Sequence, residues 1–398
     1  MLRKIAIIIL LISLILIPGC WDKREPEDLA VVTAVGYDYL PKEGKYKMFI
    51  QYSNPLKTAG GGGSGGGGGS DKPAFWTNSA QGHTIEDCVA NLRKKTSRGI
   101  HYAHLQISLI SQRFLKNKGL MPFIYDIRRS RQSRPLILIA AVDDVEKAMS
   151  LTFPLESANA EGITNQIKQI KEDNSVVTID ELSIFLNKFT QPGIDPVLTT
   201  IETTSKAKPM ESQPDSPPPI LVSGIDVFHK GKYVGSLDDR EARGFNWIND
   251  KVENSIIIIK HPGTEKGLVS LTANKNESQI IPIYHNGKPA IKLTVSVDGQ
   301  LMDSTETNKI SWESSESYSL NQRLAQVITN DIRTSLNKAQ SLQTDIFGFG
   351  NAFYRTDYDL WKEMEGSWRQ IFSTLPVDIE VKAVVRRMGM INENLVPR

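Results

Sequence analysis

The stretch SYSLNQRLAQVITNDIRTSLNKAQSL, residues 317–342, decides the fold of the C-terminal half of this chain. Its apolar residues recur with a helical repeat at Leu320, Leu324, Val327, Ile328, Ile332, Leu336, Ala339 and Leu342. This spacing predicts one amphipathic helix of about 24–30 residues without internal Gly or Pro. We expect it to break in TDIFGFGNAF, where Gly348 and Gly350 end it.

The sequence around this helix is typical of a sheet. ILVSGIDVFHKGKYVGSL (220–237) reads as a hairpin turning at Lys230-Gly231, and REARGFNWIND (240–250) reads as a short helix. Further strands are predicted near 254–260, 267–273, 278–284 and 289–298, with a closing strand in LPVDIEVKAVVRRMGMI. A second, shorter helix is predicted to carry Tyr354, Leu360, Trp361, Trp368 and Phe372. These elements predict an α+β unit with a mainly antiparallel sheet.

Strands and helices alternate in the N-terminal half. LAVVTAVGYDYL (29–40) and KYKMFIQYS (45–53) are predicted strands on either side of a turn, and AFWTNSAQG (74–82) is a third. Thr84, with Asp87 three residues later, predicts the start of a helix near 84–95. Next come a predicted strand in IHYAHLQISLIS, a helical SQRFLKNKGLMPFIYDI and a buried strand in RPLILIAAV. This order implies a sheet with helices packed against it.

Composition predicts where the chain divides. Nine glycines lie within residues 60–69, so 60–70 is expected to be a Gly-rich flexible loop. KPMESQPDSPPPI (208–220) is Pro-rich and polar, which marks an internal boundary. We predict an N-terminal α/β domain (20–142), a more helical middle domain (143–212) and a C-terminal α+β domain (213–398). The fold class is therefore multidomain α+β, with mixed sheets packed by helices.

The first twenty residues, MLRKIAIIILLISLILIPGC, have the pattern of an export signal. A basic pair precedes thirteen almost wholly aliphatic residues, 5–17. A helix of that length is roughly 20 Å, too short for a hydrocarbon core of about 30 Å. Small residues and then Cys20 make IPGC a variant of the lipobox, so residues 1–19 are predicted to be removed and Cys20 lipidated. The alternative is an uncleaved anchor or a plain signal with an incidental cysteine.

Charge and cysteine content exclude several classes of protein. The 398-residue chain has a formal charge of +2, and removing 1–19 takes away one Arg and one Lys, leaving a neutral chain. Neutrality gives no global electrostatic reason to bind nucleic acid. After lipidation of Cys20, Cys88 is the one remaining thiol, so no intramolecular disulfide is possible. Cys88 shares a predicted helical face with Ile85, Val89 and Leu92, which predicts a buried structural thiol.

No pattern in the sequence indicates catalysis, a metal or a cofactor. His101 and His104, three apart on a predicted strand, would face opposite sides, which is poor geometry for chelation. The sequence contains no HExxH, CxxC or acidic calcium loop, and its glycine tract lacks the GK[ST] ending of a phosphate loop. The paired carboxylates Asp238-Asp239 and Glu363/Glu365 fit solvated helix surfaces.

Two surface alternatives stay open. Arg128, Arg129, Arg131 and Arg134 form a basic run, read as a solvated helix end or as a contact for anionic headgroups or an acidic partner loop. The other set is aromatic and is read as core or as an exposed patch for a partner: Phe347, Phe349, Phe353, Tyr354, Trp361 and Trp368.

Four stretches together resemble the Ger(x)C spore germination lipoproteins, the C subunits of GerA-type nutrient germinant receptors. They are GCWDKREPEDLAVVTAVGYD, VFHKGKYVGSLDDREARGFNWI, KAQSLQTDIFGFG and IEVKAVVRRMGMI. The resemblance spans nearly the whole chain after residue 19. It implies a chain of α+β domains without catalytic residues.

The resemblance further implies a lipid-anchored, non-enzymatic subunit on the outer face of the spore inner membrane. Its partners would be membrane lipid, through Cys20 as N-palmitoyl and S-diacylglyceryl cysteine, and the integral membrane A and B subunits. The competing hypothesis is a surface solute-binding lipoprotein that captures the germinant itself, which predicts a cleft with convergent polar groups between domains. A hydrolase acting on the spore wall is a weaker third hypothesis, because no acid/base pair is evident.

Overall fold

The fold was analysed in a computed structural model. It describes residues 28–53, 75–129, 134–151, 158–174, 181–203, 220–264, 266–285, 287–306 and 315–386, with isolated residues 3, 153, 156 and 178. Three predicted features lie outside these residues: Cys20 with its signal segment, the Gly-rich loop 60–70 and the Pro-rich stretch 208–219.

The first sheet is mixed and contains nine strands within the described residues. They are β1 (Leu29–Leu40), β2 (Lys45–Ser53), β3 (Phe75–Gly82), β4 (Gly99–His101), β5 (Ile107–Ser111), β6 (Leu138–Val142), β7 (Val197–Thr203), β8 (Ile220–His229) and β9 (Lys232–Leu237). Their order is β3-β2-β1-β5-β6-β7-β8-β9, with β4 also beside β1. Strands β1, β5, β6 and β7 are parallel, and an antiparallel hairpin extends the sheet on each side.

In the part of the chain that the structure describes, the second sheet has four strands in the order β10-β11-β12-β13. These are β10 (Ser255–Lys260), β11 (Leu268–His285), β12 (Lys288–Ser304) and β13 (Val377–Arg386). The first three pair antiparallel, and β13 runs parallel to β12. The prediction of separate strands at 267–273 and 278–284 was wrong. Both belong to β11, whose register shifts between Ala273 and Lys275 without breaking the ladder.

Eleven α-helices are described. They are α1 (Ile85–Arg93), α2 (Gln112–Lys118), α3 (Met121–Arg129), α4 (Val145–Ser150), α5 (Asn159–Asn174), α6 (Leu182–Thr190), α7 (Asp239–Ile248), α8 (Ser315–Ser341), α9 (Phe349–Thr356), α10 (Tyr358–Met364) and α11 (Trp368–Ser373). A short 3₁₀ turn at Glu365–Ser367 joins the last two. Among the described residues, no helix is both long and apolar enough to span a membrane.

The predicted long helix is confirmed: α8 has 27 residues, and its apolar seam is buried. It ends at Ser341, earlier than predicted, and Gly348 (φ 79°) instead precedes the next helix. The helical stretch 111–127 divides at Gly119, because its φ of 68° lies outside the helical region. A Cβ at this position would also overlap the Gly231 carbonyl oxygen. The predicted strand over 100–111 is likewise two strands, β4 and β5, separated by a turn.

Three apolar clusters hold these layers together. Helices α1, α2, α3 and α6 cover one face of the first sheet, and α4 and α5 cover the other. The third cluster contains residues of the five helices α7, α8, α9, α10 and α11 and of the second sheet. It joins them to four residues of the first sheet, Val197, Ile225, Val227 and Leu237. The α+β class is therefore confirmed. Strands of the first sheet lie on both sides of each predicted domain boundary, and the three-part division stays a prediction.

Helices α7 and α8 cross at unusually close range. A Cβ on Gly244 of α7 would overlap the Asp331 carbonyl oxygen of α8, so only glycine allows this approach. The buried Asp331 carboxylate accepts hydrogen bonds from Arg240 Nε at 3.0 Å and Arg243 Nε at 2.8 Å. These charge-assisted bonds fix the rotation of α7 on α8. They thereby hold α7, which follows the hairpin β8–β9, against the second sheet's long helix.

Candidate functional site

Two short segments, distant in sequence, meet where the first sheet joins the C-terminal helices. Residues 191–196 (QPGIDP) precede β7, and residues 344–351 (TDIFGFGN) lead from α8 into α9. We call their contact the junction. Asn351 N donates to Gly193 O at 2.9 Å, and Asp195 N donates to Asp345 O at 2.7 Å. Asn351 Nδ2 also donates to Pro192 O at 3.0 Å. Main chain therefore bonds to main chain across the junction.

Glycine on both sides makes this approach possible. Gly193 has a φ of 71°, and a Cβ there would overlap the carbonyl carbon of Gly350 and lie 2.5 Å from Asn351 N. A Cβ on Gly350 would in turn lie 2.8 Å from Gly193 Cα. Such distances leave no room for a side chain on either residue. The junction is therefore built for direct backbone contact.

A buried carboxyl group, that of Asp345, organises the C-terminal side of the junction. Its Oδ1 accepts N–H bonds from Phe347, Gly348 and Phe349 at 3.2, 2.9 and 3.2 Å. Its Oδ2 accepts from Gly350 N at 2.7 Å and from Trp368 Nε1 at 3.0 Å. Asp345 thus satisfies the free N–H groups at the start of α9 and ties them to α11.

Burial raises the pKa of Asp345 to about 7. The hydrogen bonds donated by Gly350, Phe349 and Trp368 act in the opposite direction, because they stabilise the charged form. The nearby charge of Asp195 raises the pKa further. The carboxyl group therefore sits in a site where the cost of desolvation outweighs the donors around it.

Beside the junction, a histidine and an aspartate form a contact between β8 and the loop before β7. Both oxygens of the Asp195 carboxylate lie 3.0–3.1 Å from His229 Nδ1. This pair opens into a cleft of about 660 Å³. Its lining also includes Lys230, Arg369 and Glu365, so groups of both signs face the space. The cleft can hydrogen-bond a small polar solute.

The aromatic residues around α9 belong to the core, the first of the two interpretations that the sequence left open. Phe347, Phe349, Phe353, Trp361 and Trp368 are buried, and Tyr354 packs against them while partly exposed. Rings contact one another at centroid distances of 5.3 Å (Phe347–Phe349), 5.6 Å (Phe353–Trp368) and 5.4 Å (Trp361–Trp368). These rings form the apolar wall against which Asp345 is buried.

The other residues selected from the sequence do not form a site. Cys88 is buried as predicted, and burial raises its pKa to about 12, which disfavours a thiolate. His101 lies on β4 and His104 in the turn after it, and no group of metal-binding side chains occurs among the described residues. Asp238 caps α7, and Glu365 pairs with Lys362, both at exposed helix ends.

The predicted basic run belongs to a larger cationic surface, which we call the basic edge. It consists of the exposed residues Arg93, Lys94, Lys95, Arg98, Arg128, Arg129 and Arg134. Arg131 lies outside the described residues. Arg93 and Arg129 line one depression of about 210 Å³, and Arg93 and Arg98 line a neighbouring one of about 440 Å³. The C-terminal ends of α1 and α3 therefore lie side by side.

Sequence reasoning missed the junction residues Asp195, His229 and Asp345. One local signal was present: an aspartate before a Gly-Phe-Gly run resembles a helix cap, because carboxylates favour free N–H groups at helix starts. The pairing of this cap with a Pro-Gly loop 150 residues earlier (345 against 195) has no local signature. The contact depends on tertiary packing alone.

Comparisons with known proteins agree with this architecture. Residues 22–203 match the family model "Spore germination protein N-terminal domain", and residues 223–389 match "Spore germination B3/ GerAC like, C-terminal". In Bacillus subtilis (strain 168), spore germination protein KC is 27% identical over 98% of both chains. Spore germination protein B3 of the same organism is 20% identical over 97% of this chain and 98% of its own.

A solved structure shares the fold. The crystal structure of the GerBC protein superposes with a TM-score of 0.53 over 88% of this chain and 96% of that chain, at 15% identity. The two family models together cover most of the chain, one on each side of the junction. This chain therefore belongs to the Ger(x)C family of spore germination proteins.

Proposed function

We propose that this protein is a lipid-anchored subunit of a spore nutrient germinant receptor and acts through protein–protein contacts. The observation that carries the proposal is the match to both family domains within one chain, on a fold that joins them through a shared sheet. The relatives that this chain matches over nearly their whole length are spore germination proteins. A non-enzymatic role is part of the proposal.

The N-terminal sequence supports the anchor. The lipobox variant IPGC would make Cys20 an N-palmitoyl, S-diacylglyceryl cysteine. Two or more acyl chains hold a protein on a bilayer durably, whereas one binds only marginally. The anchored subunit would lie on the outer face of the spore inner membrane. Its partners there would be the integral membrane A and B subunits of the receptor.

A Cys20→Ala substitution tests the anchor. We expect a salt wash to release the protein from the spore membrane fraction, and we expect the protein to lose palmitate labelling and to fail in receptor assembly. Cys88→Ala is the matched control, since it removes the buried thiol and leaves the lipobox intact. Normal nutrient germination with a soluble Cys20→Ala protein would show that membrane anchoring is not part of the function.

The cleft beside the junction favours a second candidate function, direct capture of the germinant. Its volume of about 660 Å³ and its charged groups of both signs suit a small polar solute. Calorimetry of the protein with candidate nutrients tests this function. Tight binding of a nutrient that is abolished by Lys230→Ala or Arg369→Ala would establish solute capture. If no nutrient gave a heat of binding, solute capture would be rejected and the subunit role would be the remaining function.

A further inference from the structure

The basic edge lies where the chain enters the fold from its N-terminus. Gly99 of β4, one residue after Arg98, pairs with Leu29, the first residue of β1. Strand β5 pairs parallel with both β1 and β6, and β6 follows Arg134 in sequence. The N-terminal ends of β1 and β6 therefore lie at the same edge of the sheet. The start of β1 and the basic edge therefore share one end of the molecule.

The cations of this edge are not neutralised within the described fold. The ion pairs among the described residues include none of its seven members. Among the described residues, Lys94 and Lys95 donate to neutral oxygens, those of Asn91 and Ser79. Two acidic groups, Glu86 and Asp126, line the depression with Arg93 and Arg129.

The short stretch before β1 does not cancel this charge. Residues 21–28 (WDKREPED) contain four acidic and two basic residues, a net excess of two acids. The seven cations of the basic edge exceed the two net acids of residues 21–28 and the carboxylates of Glu86 and Asp126 by three positive charges. Leu136 and Ile184 add exposed apolar side chains, at 68% and 45% exposure. Both lie near Arg134, because Ser183 N donates a hydrogen bond to Pro135 O.

We propose that the basic edge docks on an anionic lipid bilayer, so that the subunit touches the membrane with a folded surface as well as its anchor. The proposal rests on the proposed lipid attachment at Cys20. Eight residues, 21–28, separate Cys20 from Leu29, and an extended chain over these nine Cα-to-Cα steps spans at most roughly 30 Å. The start of β1, and with it the basic edge, is thereby held close to the headgroups. Cations held this close to an anionic leaflet are attracted to it. Exposed apolar side chains can enter the boundary between the headgroups and the acyl chains.

Vesicle binding by a chain of residues 21–398 tests the surface without the acyl anchor. Every helix and strand described above begins at or after Leu29, so this chain retains the fold. We expect it to sediment with phosphatidylcholine vesicles that contain phosphatidylglycerol and not with phosphatidylcholine alone. Added salt should release it, because salt screens exposed charges.

The triple substitution Arg98→Ala, Arg128→Ala, Arg134→Ala should weaken this binding on the order of a hundredfold. The matched control removes three exposed cations elsewhere, Lys42→Ala, Lys288→Ala and Arg355→Ala, and should bind as the parent does. Equal loss in both variants would overturn the proposal, since net charge rather than this edge would then govern binding. No binding of the parent chain to anionic vesicles would also overturn it.

The outcome separates the two proposals. Release of the Cys20→Ala protein from spore membranes, together with no vesicle binding by residues 21–398, would keep the anchor and reject the docking surface. If the triple variant bound vesicles normally but failed to assemble into receptors, the edge would serve an acidic protein partner, and the lipid proposal would be rejected.

Discussion

The junction between the two halves can be probed with one methyl group. Alanine at Gly193 would have to adopt a φ of 71°, and its Cβ would overlap the backbone of Gly350. The left-handed conformation costs a non-glycine residue about 1 kcal/mol. The overlap involves backbone atoms on both sides, so relief requires the two segments to separate.

Separation would break three hydrogen bonds across the junction, those of Asn351 N, Asn351 Nδ2 and Asp195 N. At about 1 kcal/mol each, their loss brings the total destabilisation by Gly193→Ala to about 4 kcal/mol. Gly44 (φ 66°) and Gly287 (φ 73°) have no atom within 4 Å of an added Cβ. Alanine at either control position should therefore cost only about 1 kcal/mol of backbone strain.

Urea unfolding of residues 21–398 measures this difference. Tryptophan fluorescence suits the assay, since Trp361 and Trp368 lie in the core beside the junction. We expect the unfolding midpoint of Gly193→Ala to fall well below those of Gly44→Ala and Gly287→Ala. Equal midpoints for all three variants would refute the reasoning, because the two segments would then not be in backbone contact.

Two further predictions concern other parts of the fold. Gly244→Ala should destabilise the protein by about 3 kcal/mol or more, because the added Cβ overlaps the Asp331 carbonyl oxygen. The control is Gly366→Ala, whose added Cβ meets no atom within 4 Å, so its stability in the same urea assay should be close to that of the parent. Burial raises the pKa of Asp226 to about 6, so the native state binds a proton more tightly than the unfolded chain and loses stability as the pH rises from 4 through 6. Asp226→Asn should remove this loss, and its stability relative to the parent should rise by about 3 kcal/mol between pH 4 and pH 8; a pH-independent difference would contradict the prediction.

Local sequence patterns predicted the elements that local forces determine. The bounds of β1 and β2 match the predicted strands, and the hairpin 220–237 turns at Lys230-Gly231 as predicted. Both turn residues have positive φ, 49° and 78°, as a tight hairpin turn requires. The seam of α8 likewise follows from its spacing alone. In each case the signal lies within about 20 residues.

The pairing of distant segments could not be read in the same way. Nothing in the closing strand reveals that β13 pairs parallel with β12, because an alternating strand fits either direction. The same holds for the junction. Asp345 and Asp195 look like ordinary polar loop residues until folding brings them together, and their bonding partners are mostly main-chain groups, which leave no trace in the side-chain pattern.

The shared sheet predicts that the two family domains stay together when the chain between them is cut. Strand β7, from the N-terminal match, pairs antiparallel with β8, of which residues 223–229 fall in the C-terminal match. Val197 and Val227 are both buried in the cluster that contains α8. A protease site inserted within residues 208–219 lies between these two strands in sequence.

After cleavage at that site, we expect both fragments to elute together in size-exclusion chromatography and to separate only in denaturant. The sheet ladder, the shared cluster and the junction bonds at Gly193 would all have to break for the fragments to part. An uncleaved chain carrying the same insertion is the control. Separation of the fragments under native conditions would show instead that the boundary predicted near residue 212 divides independently stable domains. Retention would mean that a force applied at the end of the first sheet that carries the basic edge reaches the second sheet through packed structure rather than through a linker.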